Sequence, residues 1–293
     1  MRKILLSLLS ISAVAVLAFG ASQAFFSDTE TSTGNTFTAG AIDLKIDFDG
    51  YYNILPGPNV TPNAGSWDEK DLIAGTDMFF NFIDLKPGDF GEGTLSLHVY
   101  NNDAWGRMVI SNVQDFDNTC TEPEDEATGE LCTVTTPENQ NTGLGEFREN
   151  LTFYAWLDQG ATKGFQNGNS TPPSGFISDP GEGDNIRQDA TEPLVILPGT
   201  IDEAGEIHEF WPALAALYTQ LGCTDTDGNT GYGECHGIAQ DGRLVGSTTY
   251  YMGIRWDLPS TVDNIAQTDS LVADIRFDVV QHRNNPATPN PTF

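Results

Sequence analysis

Basic residues are scarce: 13 Lys and Arg stand against 42 Asp and Glu, giving a formal charge of -29. A surface of that sign repels nucleic acid and anionic membranes, which excludes both as partners, and it favours cations and solubility. No apolar run of spanning length occurs after the N-terminal segment, so no membrane span is expected in the mature chain. Catalytic signatures are missing too. There is no Gly-x-Ser-x-Gly elbow. The His208-Glu209 pair would need the second histidine of a zinc-protease helix at Pro212, which can be neither ligand nor mid-helix residue. His98, His236 and His282 lie on separate segments, and carboxylates are too plentiful for one pair to stand out as acid and base. No catalytic residue is assigned, and the chain is not expected to be an enzyme.

Cysteine is also sparse. Cys120, Cys132, Cys223 and Cys235 form two pairs with the same gap, each bracketing an acidic, turn-rich stretch, "CTEPEDEATGELC" and "CTDTDGNTGYGEC". In an exported chain these read as local disulfides, Cys120–Cys132 and Cys223–Cys235. Zinc is the rival reading, disfavoured by the wide spacing and an oxidising compartment.

Export itself is read from the first residues. Arg2 and Lys3 precede an apolar run, Ile4 to Phe19, and Ser22-Gln23-Ala24 offers a small-x-small site, so residues 1–24 are expected to be a signal peptide cut between Ala24 and Phe25. The alternative is a membrane anchor, but the run is short of the ~20 residues a bilayer asks for. Cleavage removes two positive charges and takes the formal charge from -29 to -31. The mature protein is expected to be secreted, extracellular or at the cell surface.

Strand signals dominate the remainder. Ile42, Leu44, Ile46 and Phe48 alternate with Asp43, Lys45 and Asp47, the period of two that puts one face on a core and the other in water. The same alternation returns at Leu95–Val99, Leu151–Leu157, Tyr250–Leu258 and Leu271–Val279. Pro87-Gly88 marks a type II turn. One helix is expected from Trp211-Pro212, with Leu214, Leu217, Tyr218 and Leu221 on one face and Gly222 as its stop. Residues 160–193 read as a long surface loop and 284–293 as a flexible Pro/Asn-rich tail, neither carrying a core. Together these predict an all-β fold: an antiparallel β-sandwich of jelly-roll type over 41–283, with one inserted helix and long loops. A division into two domains near the 160–193 loop stays open.

Residues 25–40 are the candidate functional segment. Phe25, Ser27, Thr29, Thr31, Thr33, Asn35, Phe37 and Ala39 fall on one side of an extended chain, and Phe26, Asp28, Glu30 and Ser32 on the other. The first side is uncharged and aromatic near both ends, as suits a strand lying in the groove of a sheet. A first strand pairing within its own sandwich, or a frayed tail, fits the pattern equally well.

Three blocks carry a family resemblance. "AFFSDTETSTGNTFTAGAIDLKID", "LKPGDFGEGTLSLHVYNND" and "IAQTDSLVADIRFDVVQHRNN" are similar, in this order, to the N-terminal, turn-and-strand and closing-strand signatures of the TasA/camelysin family, secreted proteins with a SipW-type signal peptide. They cover about a quarter of the chain; the segment with both cysteine loops and the helix has no counterpart in that resemblance. The resemblance implies a jelly-roll subunit of an extracellular fibre, in biofilm matrix or pilus-like, assembled head to tail by donor-strand exchange after signal peptidase frees the N-terminus. Its partner would then be a second copy of itself. It also brings a peptidase reading, because some relatives of camelysin carry that label.

A third reading is a monomeric cell-surface binder of calcium or carbohydrate. No cofactor is required, but Asp225, Asp227 and Asn229 have the 1, 3, 5 spacing of a calcium loop. Position 6 is Thr230 and position 12 is His236, so this is no EF-hand, and an acidic solvated turn is the competing reading.

Overall fold

The computed structural model describes residues 27–31, 42–56, 60–118, 121, 124, 141–142, 145–166, 179–188, 191–202, 204–286 and 290–293. Its elements in chain order are β1 (Ser27–Thr31), β2 (Asp43–Tyr52), β3 (Ser66–Lys70), β4 (Phe90–Tyr100), β5 (Ala104–Asp117), β6 (Asn141–Thr142), α1 (Phe147–Asn150), β7 (Thr152–Leu157), β8 (Leu194–Gly199), β9 (Glu206–Glu209), α2 (Trp211–Leu221), β10 (Thr248–Asp257) and β11 (Ser270–Gln281). They build two antiparallel sheets packed as a sandwich. Sheet I has the order β3-β2-β4-β10-β7-β8; sheet II runs β1-β11-β5, with β6 and β9 on the far edge of β5. Strands from before and after the 160–193 loop interleave in sheet I, so the chain does not split there into two sheets.

Of the connections that cross between the sheets, two mark the ends of the sandwich. Residues 101–103 carry β4 into β5 at one end, here called the arch end, and residues 258–269 carry β10 into β11 at the other. The core lies between. Leu44, Ile46, Phe48, Leu95, Leu97, Tyr250, Met252 and Ile254 from sheet I meet Met108, Ile110, Phe277 and Val279 from sheet II. Phe79, from the loop after β3, bridges the layers: its ring centroid is 5.2 Å from Phe48 and 5.8 Å from Phe277.

Local expectations fare well where the signal is local. The turn closes with Asp89 N–H donating to Lys86 O at 2.9 Å, and Gly88 takes the φ of 97° that a type II turn requires. Helix α2 begins at Trp211-Pro212 and ends in a Schellman motif, Gly222 at φ 64° and Cys223 N–H bonded to Tyr218 O. Leu214 and Leu217 are buried, as the helical face requires. A second, four-residue helix, α1, was not expected.

Other features depart from the sequence reading. Trp156, expected on the wet face of β7, is buried on its own side of sheet I. A bulge between Val272 and Asp274 interrupts the alternation of β11, and Phe277, Asp278, Val279 and Val280 are all buried in a row. The outer side of this stretch is covered by the C-terminal residues. Asn285 O accepts from Trp105 Nε1, the Asn285 side chain bonds both Thr292 N (2.9 Å) and Thr292 O (3.2 Å), and the Arg107 guanidinium lies 4.0 Å from the Phe293 centroid. The tail expected to be flexible is, at 284–286 and 290–293, a strap over sheet II.

The loop after β7 was expected to carry no core, and it carries a polar one. Buried Asp158, Asp179, Glu182 and Glu192 accept backbone N–H groups: Asp158 from Gly183 (3.2 Å) and Asn185 (2.7 Å), Glu192 from Gly160 (2.9 Å) and Gln188 (2.6 Å), Glu182 from Gln166 (2.6 Å), and Asp179 from Gly181 (3.1 Å). Carboxylates do here what a ladder does in a strand, satisfying main-chain donors that would otherwise be buried and unpaired.

Candidate functional site

The segment singled out from the sequence meets the fold at the free edge of sheet II. β11 forms because Leu271, Val272, Ile275, Phe277, Val279 and Val280 are branched or aromatic residues that fit a pleated, half-buried surface. One side of β11 pairs with β5 along its whole length. On the other side β1 pairs antiparallel over five positions, Ser27 opposite Val280 through Thr31 opposite Arg276. Among the described residues, nothing pairs with Ser270–Ile275 on that edge. Of the seven donor-strand residues, Ser27, Thr29 and Thr31 are therefore placed in a strand; Phe25, Thr33, Asn35 and Phe37, with Ala24 at the expected cleavage point, lie outside the described residues.

β11 carries a buried ion cluster beside this edge. Asp278, buried, accepts from Arg107 Nε (3.0 Å) and Nη2 (2.9 Å), and Arg276 Nε lies 3.0 Å from its other oxygen. Two guanidiniums thus offset one buried carboxylate, the condition under which burying such a charge is tolerated.

The Cys223–Cys235 disulfide is present, with Cα atoms 5.9 Å apart; Cys120 and Cys132 lie outside the described residues. Inside the bonded loop the carboxylates of Asp225 and Asp227 have protein partners. The Asp225 carboxylate accepts from Asp227 N (3.4 Å) and Asn229 N (3.0 Å), while Asp227 Oδ1 accepts from Arg243 Nη2 at 2.9 Å. Arg243 also binds Asp103 (2.8 Å) and Asp241 (2.9 Å), so an arginine anchors this loop to the arch end. Replacing both cysteines by serine is expected to cost about 2–3 kcal/mol in urea unfolding, the entropy of reopening a loop of this size; an unchanged midpoint would show that the Arg243 anchor alone constrains it.

A different set of acids does converge. Oxygens of Asp117, Glu124 and Asp269 all lie within 4.8 Å of one another, where β5 ends and β11 begins. Glu124 accepts from Thr121 N (3.2 Å) and Thr268 Oγ1 (3.4 Å), and Asp269 accepts from Glu146 N (2.6 Å). Burial, and then Glu146, push the Asp269 carboxyl up into its protonated form. Such a triad can share a proton or supply part of the oxygen shell of a hard cation. No local pattern marks it, since residues 117 and 269 are brought together only where the β5–β11 ladder ends, and Glu124 joins them from beyond β5.

No protein-family model matches the chain, and no curated protein sequence matches it. A structure of the Gx strain of infectious bursal disease virus is similar at 10% identity over 89% of this chain, with a TM-score of 0.22. This chain spans 56% of that one. A likeness of that size carries no argument about fold or function.

Proposed function

We propose that the protein is a secreted structural subunit of an extracellular filament, biofilm-matrix or pilus-like, whose N-terminal strand completes sheet II of a second copy. The observation that carries this reading is the pairing of β1 with the β11 edge, because it identifies a place where an N-terminal ribbon is accepted through main-chain bonds. Chain reach supplies the rest. β1 enters at the arch end and runs inward, yet the same chain must be back at the arch end by Asp43, which opposes Tyr100. Pairing continued to Ser270 would use the chain to about residue 37, leaving residues 38–42 to return along a 12-residue strand. Five residues reach at most ~18 Å, against ~40 Å for that strand. Within one chain β1 is confined to part of the edge; a strand from a second copy is not. Such a head-to-tail contact does not close on itself, so it grows filaments.

Electron microscopy of the processed chain tests the reading directly, filaments being expected and solitary particles at high concentration overturning it. Subunits of charge near -31 repel one another. Screening lengths of about 10 Å at 0.1 M salt should relieve this, so filament yield is expected to rise with ionic strength, and a flat yield would remove charge as the brake. The second reading is a monomer that keeps β1 to itself, favoured by the pairing of β1 within one chain.

A further inference from the structure

Carboxylates gather at the end of the sandwich opposite the arch, where β5 runs out and β11 begins. Phe116 pairs with Ser270, and Asp117 and Asp269 stand one step beyond that pair, on neighbouring chains. Glu124 reaches them from beyond β5 and is itself buried. One oxygen from each of the three lies within 4.8 Å of the other two. Oxygens on opposite sides of a calcium ion, each bound at ~2.4 Å, stand about 4.8 Å apart, so the three fit within one calcium shell.

A second observation separates this cluster from an acidic turn in water: its oxygens are buried without donors. Asp117 Oδ1 and Asp269 Oδ1 are shut off from solvent and have no hydrogen-bond partner. Asp115 stands two residues before Asp117 on the same face of β5 and is 3% exposed, and neither of its oxygens has a hydrogen-bond partner. Arg148 Nε is 3.8 Å from Asp115 Oδ2, an ion pair too long to be a hydrogen bond. Asp115 also borders the triad directly: a Cβ on Gly145 would lie 2.7 Å from its Oδ1, and the next N–H, that of Glu146, donates to Asp269 at 2.6 Å. Burial raises the Glu124 carboxyl, and the charges of Asp117 and Glu146 add to the shift. Burial pushes Asp115 up to about 6 against the pull of Arg148. Buried oxygens without donors, in a field of one sign, are costly unless a cation meets them.

We propose that Asp117, Glu124 and Asp269 hold a calcium ion that ties the segment after β5 to the start of β11. The ligand atoms are all hard carboxylate oxygens, with neither His nor Cys among them, which selects against a transition metal. Calcium accepts an irregular shell completed by water, whereas magnesium demands a near-ideal octahedron that two strand ends and a loop do not supply. Asp117 and Asp269 are only half-buried as whole residues, so the ion has a way in from solvent. The ion would also relieve the crowding that otherwise keeps a proton on Asp269, without giving up an oxygen. This site is separate from the β1 pairing and does not rest on the filament reading.

Isothermal titration of the full processed chain with calcium chloride, in about 0.5 M potassium chloride to screen diffuse attraction, tests the proposal. One saturable calcium per chain is expected, and calcium at about a hundredfold excess over Kd should raise the melting temperature by about 5–10 °C. The D117N/D269N chain keeps an acceptor for Glu146 N and should therefore stay folded without calcium. It should bind at least about tenfold more weakly and lose the melting shift. The D84N/D225N chain gives up the same two charges, one from an exposed position and one from the loop with calcium spacing, and should bind within about twofold of the parent. Absence of saturable binding to the parent chain overturns the proposal. Weakening by D84N/D225N as large as that by D117N/D269N overturns it too, since the ion would then sit in the other loop or be drawn by net charge alone.

Discussion

Processed protein truncated to begin at Ala39 is expected to remain folded and to form no filaments at any concentration or salt. The physical basis is that β1 is the only described element of either sheet that precedes residue 42. Among the residues whose burial is described, the core lies from Ile42 onward, and the truncation leaves all of it in place. What it opens is the β11 edge at Arg276–Val280. A synthetic peptide of residues 25–39 should rebind that edge, and burial of Phe25 and Phe37 in the process would contribute about 1.5 to 3 kcal/mol each. Electron microscopy with thermal unfolding on the same sample decides the matter: persistent filaments sink the donor-strand reading, whereas loss of the fold would mean that β1 is an integral strand of the monomer.

Stability is expected to fall steadily from mildly acidic to alkaline pH. Burial, and then the charge of Glu192, push the Asp158 carboxyl up to about 9; burial pushes Glu192 up to about 7, and Asp269 is raised in the same way. A carboxyl with a folded-state pKa above its unfolded value binds more protons in the folded state, so its contribution is present below about pH 4 and is lost as pH rises through the folded value. The slope is about 1.4 kcal/mol per pH unit for each proton released on unfolding. In a chain of this size each kcal/mol corresponds to a melting shift of about 2–4 °C. Melting temperatures measured from pH 5 to pH 9 should therefore decline. Glu192→Gln removes the charge facing Asp158 and should flatten the profile, at a cost of about 1–3 kcal/mol for the N–H it leaves without an acceptor. Asp84→Asn, at an exposed position, should leave the profile as it was. A profile of Glu192→Gln parallel to that of the parent chain would show that the pair does not hold a proton.

What could be read in advance was whatever neighbouring residues decide. The alternation from Ile42 to Phe48 matches the burial of β2, and Trp211-Pro212 with Gly222 marks the ends of α2. β5, the longest strand, escaped the reading for a physical reason. Ala104, Met108 and Ile110 face the core while Trp105 and Val109 are buried under other segments, so the period of two that marks a strand with one wet face is absent. The carboxylate scaffold of the 158–192 loop was hidden by composition, since acids in a Gly- and Asp-rich stretch look solvated. Only the fold shows that Asp158 and Glu192 point inward at backbone N–H groups. The Asp117, Glu124 and Asp269 triad was out of reach because its members come together only where the β5–β11 ladder ends. At the calcium spacing of Asp225, Asp227 and Asn229 the fold adds a partner that the local pattern does not show, Arg243, which donates to Asp227.

Asn285 and Thr292 knot the last residues into a ring beneath which the Trp105 indole is held. Anything fused after Phe293 would consequently emerge beside Arg107 and Trp211, fixed over the outer face of sheet II instead of trailing on a loose tether. An affinity tag or fluorescent label is better carried elsewhere, because bulk at that spot stands over the same sheet whose margin receives the N-terminal strand.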